Sequence, residues 1–149
     1  MNLWETFVHA VSQYFGFLER EFGFRLKTKD SPFIVYGTDK VEVQIYYDID
    51  RFHELDLGII RITKQSQNEP SIGISEVLQV SEILPETAYM TAYPKDEKSI
   101  YCEVQKLASL LHEHGQWLLK ADQSVFDRLM KLRKQATQEL NSRKKAGAR

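Results

Sequence analysis

The densest group of side chains that could do chemistry lies in one polar connection of the chain. It contains Asp48, Asp50, His53, Glu54 and Asp56. Carboxylate oxygens suit hard divalent cations such as magnesium, calcium or manganese, and a histidine can add a nitrogen ligand. A helix-loop-helix calcium site would need regularly spaced acids and a turn glycine, and this connection has neither in the required order.

Three interpretations of this connection stay open. Asp48, Asp50, His53 and Glu54 could form the centre of a metal-binding module or a small metal-dependent enzyme. The acids could instead form a partner-binding surface made of Asp48, Asp50, Glu54 and Asp56, or an ordinary solvated loop. Four carboxylates so close together repel one another unless a positive group approaches them. We therefore predict a surface for a basic protein partner, with no catalytic residues and no cofactor.

Two other motifs are weaker candidates for chemistry. His112 and His114 are two residues apart, which on a helix turns their rings about 200° from each other, so they cannot share one ion. A surface or half-buried pair near a helix end is predicted instead. Cys102 lies near a predicted helix start, where a thiol can be acidified, but a lone cysteine in a helix is more often a small core residue.

The sequence also lacks the motifs of several enzyme classes. Its seven glycines are scattered, so no glycine-rich phosphate loop is present, and no serine lies in a nucleophile-elbow pattern. A single cysteine excludes an intramolecular disulfide. No apolar run reaches the roughly 18 residues of a membrane span, and the first residues do not resemble a signal peptide. We expect a cytoplasmic protein.

The hydrophobic periodicity predicts the elements that hold the acidic connection. Apolar residues at spacings of three and four predict three helices, over 3–22, 99–119 and 124–143. Gly16 is a candidate interruption of the first helix, and Gly23 is placed to end it. Trp4 and Trp117 lie on or beside the apolar stripes, so both are predicted to be mostly buried.

Between the helices the period changes to two, which indicates strands within residues 24–63. Short linkers favour antiparallel pairing. We predict an α+β fold in which an antiparallel sheet of three to five strands, with 86–93 as a candidate extra strand, is covered on one face by the three helices. Residues 75–84 could form two or three helical turns within the otherwise irregular stretch 64–97.

Charge is divided unevenly along the chain. Residues 1–119 carry 11 basic and 18 acidic side chains, net −7, while residues 120–149 carry 9 basic and 3 acidic, net +6. We predict a single domain over 1–140 and a basic, disordered tail over 141–149 that is dispensable for folding. The acidic body disfavours nucleic-acid binding. The sequence does not decide whether the chain forms homo-oligomers.

The order of elements resembles a group of small bacterial proteins. A helix ending in Phe17–Phe24, a strand over Val41–Asp48 and a strand near Leu55–Gly58, followed by two helices, is similar to small bacterial α+β proteins, some of which resemble immunity proteins of toxin systems. The resemblance covers residues 3 to about 135 in outline. It implies a binding protein with an exposed acidic surface and assigns a role to no individual residue.

Overall fold

The computed structural model describes residues 1–62, 70–80 and 91–147. Within them the chain forms six helices and five strands. The helices are α1 (Leu3–Tyr14), α2 (Phe17–Phe22), α3 (Ile74–Val80), α4 (Glu97–His114), α5 (Gln116–Leu119) and α6 (Gln123–Gly147). The strands are β1 (Arg25–Asp30), β2 (Phe33–Gly37), β3 (Val41–Tyr47), β4 (Leu55–Arg61) and β5 (Ile72–Gly73).

The five strands form one open antiparallel sheet in the order β1-β2-β3-β4-β5. This confirms the predicted α+β class and antiparallel pairing. The fifth strand is Ile72–Gly73, which the sequence pattern did not indicate. Of the candidate strand 86–93, residues 86–90 lie outside the described residues, and Ala92 forms a single bridge with Leu55.

One face of the sheet carries the hydrophobic core. Side chains alternate between the two faces of a strand, and β3 accordingly buries Val43, Ile45 and Tyr47 while Gln44 and Tyr46 stay partly exposed. Two helices, α1 and α4, pack together over the buried face. Their inward stripes are Phe7, Ala10, Val11, Ile100, Val104, Leu107 and Leu111.

Glycines interrupt two of the three predicted helices. The segment 3–22 divides into α1 and α2 around Gly16, and 99–119 divides into α4 and α5 at Gly115. Gly23 has φ of 70° and ends α2, as predicted, because a left-handed residue without a Cβ is not strained there. The start of α4 differs from expectation, since Asp96 caps it by accepting a hydrogen bond from the Ser99 backbone N–H at 2.8 Å.

The prediction that both tryptophans are mostly buried is wrong for Trp117. Trp4 is half-buried beside Phe7, with ring centroids 5.2 Å apart. Trp117 is 61% exposed, because the chain turns at Gly115 and α5 directs Leu118 and Leu119 into the core instead.

The last helix extends beyond its predicted end. α6 runs to Gly147, so residues 141–147 are helical, and every residue from 134 to 147 is exposed. Residues 148 and 149 lie outside the described part of the chain. That the domain folds without its last residues stays a prediction. No helix among the described residues combines the length and apolar character needed to cross a membrane.

Candidate partner-binding surface

A row of four side chains crosses the sheet on the face that points away from α1 and α4. Asp30 of β1 lies opposite Phe33 of β2, and Phe33 lies opposite Tyr46 of β3. Tyr46 in turn lies opposite Asp56 of β4. Residues directly opposite in an antiparallel pair share a face of the sheet. The register therefore builds a sequence of acid, aromatic ring, aromatic ring and acid across four strands.

The two rings at the centre of this row contact each other. The Phe33 and Tyr46 ring centroids are 5.2 Å apart with an interplanar angle of 51°. Phe33 is 38% exposed, and Tyr46 is half-buried. Aromatic faces attract lysine and arginine cations, and a neighbouring carboxylate can add a charge-assisted hydrogen bond to the same cation. The centre of the row is therefore suited to a cationic side chain.

Asp48 shapes the loop between β3 and β4. Its Oδ1 accepts a hydrogen bond from the Arg51 backbone N–H at 3.1 Å, and its backbone N–H donates to the Glu54 carbonyl at 3.0 Å. The Asp48 carbonyl accepts from the His53 N–H at 2.7 Å. His53 has φ of 58°, a left-handed conformation that folds the chain back into β4. The loop thus has a defined shape around Asp48.

Two acids of the loop act electrostatically on Tyr46 of the row. The pKa of Tyr46 is raised above its usual value, first by burial and then by the negative charges of Asp48 and Glu54, while Arg51 acts in the opposite direction. We call Asp30, Phe33, Tyr46, Asp48, Glu54 and Asp56 together the acidic–aromatic surface. Asp50 lies exposed in the same loop, between Asp48 and Glu54.

The acids of this surface form no ion pair found among the described residues, although Arg51 lies in the same loop and Lys95 lines a hollow together with Glu54. At the other end of the same face, Glu42 pairs with Lys27 at 3.1 Å. In contrast, no ion pair found within residues 1–62, 70–80 and 91–147 includes Asp30, Asp48, Asp50, Glu54 or Asp56. Negative charge is concentrated at one end of the open face.

The four residues considered for a metal centre do not converge. Among the described residues no group of three or more His, Cys, Asp or Glu side chains could hold a metal ion. The Asp48 carboxylate is used by the loop backbone, through Arg51 N–H at 3.1 Å and Phe52 N–H at 3.5 Å. The centroid of the His53 ring lies 6.2 Å from that of Tyr47, a core residue.

The sequence pattern identified neither Phe33 nor Asp30 as part of this surface. Asp30, Phe33 and Tyr46 were not singled out, although the alternation in β3 already placed Tyr46 on the less buried face. The missing information was the register between strands. Two further exposed aromatic rings, Phe52 and Tyr93, lie beside Glu54 and Lys95 around a hollow of ≈ 410 Å³.

The two histidines and the cysteine that the sequence offered as candidates lie outside the acidic–aromatic surface. His112 is part of α4, where its Nε2 lies 3.1 Å from Glu21 Oε1 and its ring stacks on Phe17 at 4.4 Å. His114 lies 3.5 Å from Glu113, so the two histidines have separate surroundings, as predicted. Cys102 is exposed on α4, which makes the expectation of a core cysteine wrong.

Comparison of the chain with models of protein families, with curated proteins and with solved structures gave no significant match.

Proposed function

We propose that this chain is a non-catalytic cytoplasmic binding protein that captures a basic protein partner through its acidic–aromatic surface. The observation that carries the proposal is the row Asp30, Phe33, Tyr46 and Asp56, in which two contacting rings lie between two carboxylates. An arginine or lysine placed over the rings would meet a carboxylate on either side.

The combination of aromatic rings and carboxylates in the row favours arginine over lysine as the central contact. A guanidinium stacks on an aromatic face and can donate two parallel hydrogen bonds to one carboxylate, whereas an ammonium acts as a compact point charge. The row offers both kinds of group at neighbouring cross-strand positions, about 5 Å apart. A partner that presents arginines from an extended segment or a helix would fit it.

The net negative charge of residues 1–119 adds a long-range attraction for a basic partner. Residues 1–119 carry a net charge of −7, which attracts a basic partner before contact and raises the association rate. Salt screens such attraction over about 10 Å at 0.1 M ionic strength, so binding weakens as salt is added.

An immunity-type role is the specific form of this proposal that the resemblance to small bacterial proteins implies. An immunity protein acts by binding a toxin rather than by chemistry. The concentration of acids without ion-pair partners in the described chain supports such a role, since it suits a partner whose surface is basic.

The proposal is tested with a defined basic probe, a fluorescein-labelled hexa-arginine peptide, followed by fluorescence anisotropy at low and high salt. A triple variant, Asp30→Asn, Glu54→Gln and Asp56→Asn, removes three charges from the surface and keeps Asp48, which organises the loop. The matched control, Asp39→Asn, Glu103→Gln and Glu113→Gln, removes the same charge elsewhere. All of the changed residues lie in the described part of the chain.

We expect the surface variant to weaken peptide binding by about tenfold or more, equivalent to roughly 1.4 kcal/mol, and the control to weaken it about twofold. Equal weakening by both variants would show that the peptide senses net charge alone, and the proposed surface would then be wrong.

A further inference from the structure

The last helix leaves the body of the protein halfway along its length. Its first part is anchored by buried Phe126 and Leu129 and by the ion pair of Asp127 with Arg61 at 2.6 Å. Arg133 then pairs with Glu76 and donates to the Ser71 carbonyl at 2.8 Å. Every residue after Arg133, up to Gly147, is exposed. We call residues 134–147 the distal segment of α6.

The distal segment has little to hold it as a helix. Most helical stability in proteins comes from tertiary packing of one face of the helix, and this half of α6 has no buried face. This segment contains Thr137, Asn141, Ser142 and Gly147, which are weaker helix formers than alanine. Contact with a second surface would supply the stabilisation that the body does not.

The chemistry of the distal segment is complementary to the acidic–aromatic surface. It carries Lys134, Arg143, Lys144 and Lys145 against a single acid, Glu139, which gives a net charge of +3. Leu140 is 54% exposed, and Ala136 lies one turn before it on the same side of the helix. The segment thus offers cations together with a small apolar contact, and the surface offers carboxylates together with two rings.

A distal segment that covers the acidic–aromatic surface must come from another molecule. α6 is one unbroken helix from Gln123 to Gly147, and its anchored half fixes the direction of the rest. The distal segment is exposed in the chain that carries it and so cannot also cover that chain's own sheet. A second copy meets no such restriction.

Building on the proposed function, we propose that the acidic–aromatic surface of one copy binds the distal segment of α6 from a second copy. Each copy carries both elements, so a reciprocal exchange would form a twofold-symmetric dimer. Attraction between opposite charges dominates this contact. Self-association is therefore strongest at low salt and weakens as salt is added.

Sedimentation velocity of the full chain over a concentration series tests the inference. The distal variant is Lys134→Gln, Arg143→Gln, Lys144→Gln and Lys145→Gln. Its matched control, Lys29→Gln, Lys40→Gln, Lys98→Gln and Lys106→Gln, removes four exposed cations from the rest of the chain. We expect a dimer at about 0.02 M salt that dissociates at about 0.5 M. The distal variant should weaken dimerisation about tenfold or more and the control about twofold. A monomer under all conditions, or a dimer that the distal variant does not weaken, would overturn the inference.

The hexa-arginine probe separates this inference from the proposed function. If the distal segment occupies the surface, the distal variant should bind the peptide more tightly than the parent at low salt. If the chain is monomeric and the triple surface variant still loses peptide binding, the inference is overturned while the proposed function is supported. If the surface variant binds the peptide as the parent does, both fail.

A labelled 20-nucleotide oligouridylate tests whether the distal segment binds RNA instead of a second copy of the chain. Failure of the parent chain to bind this RNA supports docking on a second copy. A monomeric parent that binds the RNA, and loses it in the distal variant, would overturn the inference in favour of a polyanion-binding arm.

Discussion

At the scale of single residues, Asp48 both organises the β3–β4 loop and contributes charge to the surface. Asp48→Ala removes the acceptor for the Arg51 N–H, so we expect it to lower the free energy of unfolding by about 1 kcal/mol in urea denaturation. Asp48→Asn keeps an acceptor oxygen and should cost less. Asp50→Ala, at an exposed position of the same loop, is the control and should change stability little. Equal losses for Asp48→Ala and Asp50→Ala would contradict the organising role.

The rings at the centre of the row should contribute to peptide binding in a way that charge alone does not explain. Phe33→Leu keeps an apolar side chain but removes the ring face, and an exposed cation–π contact contributes about 0.5–1 kcal/mol. We therefore expect hexa-arginine binding to weaken by about two- to fivefold, measured by anisotropy. Phe52→Leu removes a ring that is 70% exposed but lies outside the row, and it is the control. If only Phe52→Leu weakened binding, the contact would lie at the loop and not on the row.

At the scale of elements, the start of α4 depends on an ionised cap. The pKa of Asp96 is lowered by its hydrogen bonds with the backbone and side chain of Ser99. A lowered pKa stabilises the fold above the group's ordinary value of 3.8, and this contribution is lost as the pH falls through the folded-state pKa. Asp96→Ala should therefore lower Tm at pH 7 by more than it does at strongly acidic pH.

The control for this cap is Asp96→Asn, which keeps an oxygen acceptor that does not titrate. Its Tm difference from the parent should be smaller than that of Asp96→Ala at pH 7. A Tm difference for Asp96→Ala that stays constant from pH 7 down to strongly acidic pH would show that the ionised cap is not what stabilises the helix start.

The end of α2 depends on a left-handed glycine. Gly23 has φ of 70°, and no atom beyond its chain neighbours lies within 4 Å of an added Cβ, so the cost of Gly23→Ala comes from the backbone alone. We expect a loss of about 1 kcal/mol in the free energy of unfolding by urea denaturation. Gly73→Ala has equal space without a positive φ and should stay within about 0.5 kcal/mol of the parent. A neutral Gly23→Ala would mean that the helix end rearranges.

At the scale of the whole molecule, periodicity predicted the fold class because alternating and helical patterns extend over many residues in β3, α1 and α4. The two-residue strand β5 is too short to produce such a pattern. The acids of the loop were visible as a local cluster. Their aromatic neighbours were not, because Phe33 and Tyr46 are 13 positions apart and meet only through the strand register.

The separation of acidic and basic residues is also visible only when the whole molecule is considered. The acids collect at one end of the open sheet face, and the cations of α6 extend away from the body. Net charge near zero conceals this arrangement, in which the structure separates an acidic surface from a basic helix.

Amide chemical shifts report residue by residue whether the acidic–aromatic surface binds cations as proposed. In a ¹⁵N NMR titration of the full chain with hexa-arginine peptide at low salt, the largest shifts should occur at Phe33, Tyr46, Glu54 and Asp56. The Asp30→Asn, Glu54→Gln, Asp56→Asn variant should lose them. Shifts that are absent, that centre on the helices, or that persist unchanged in the variant would contradict the claim.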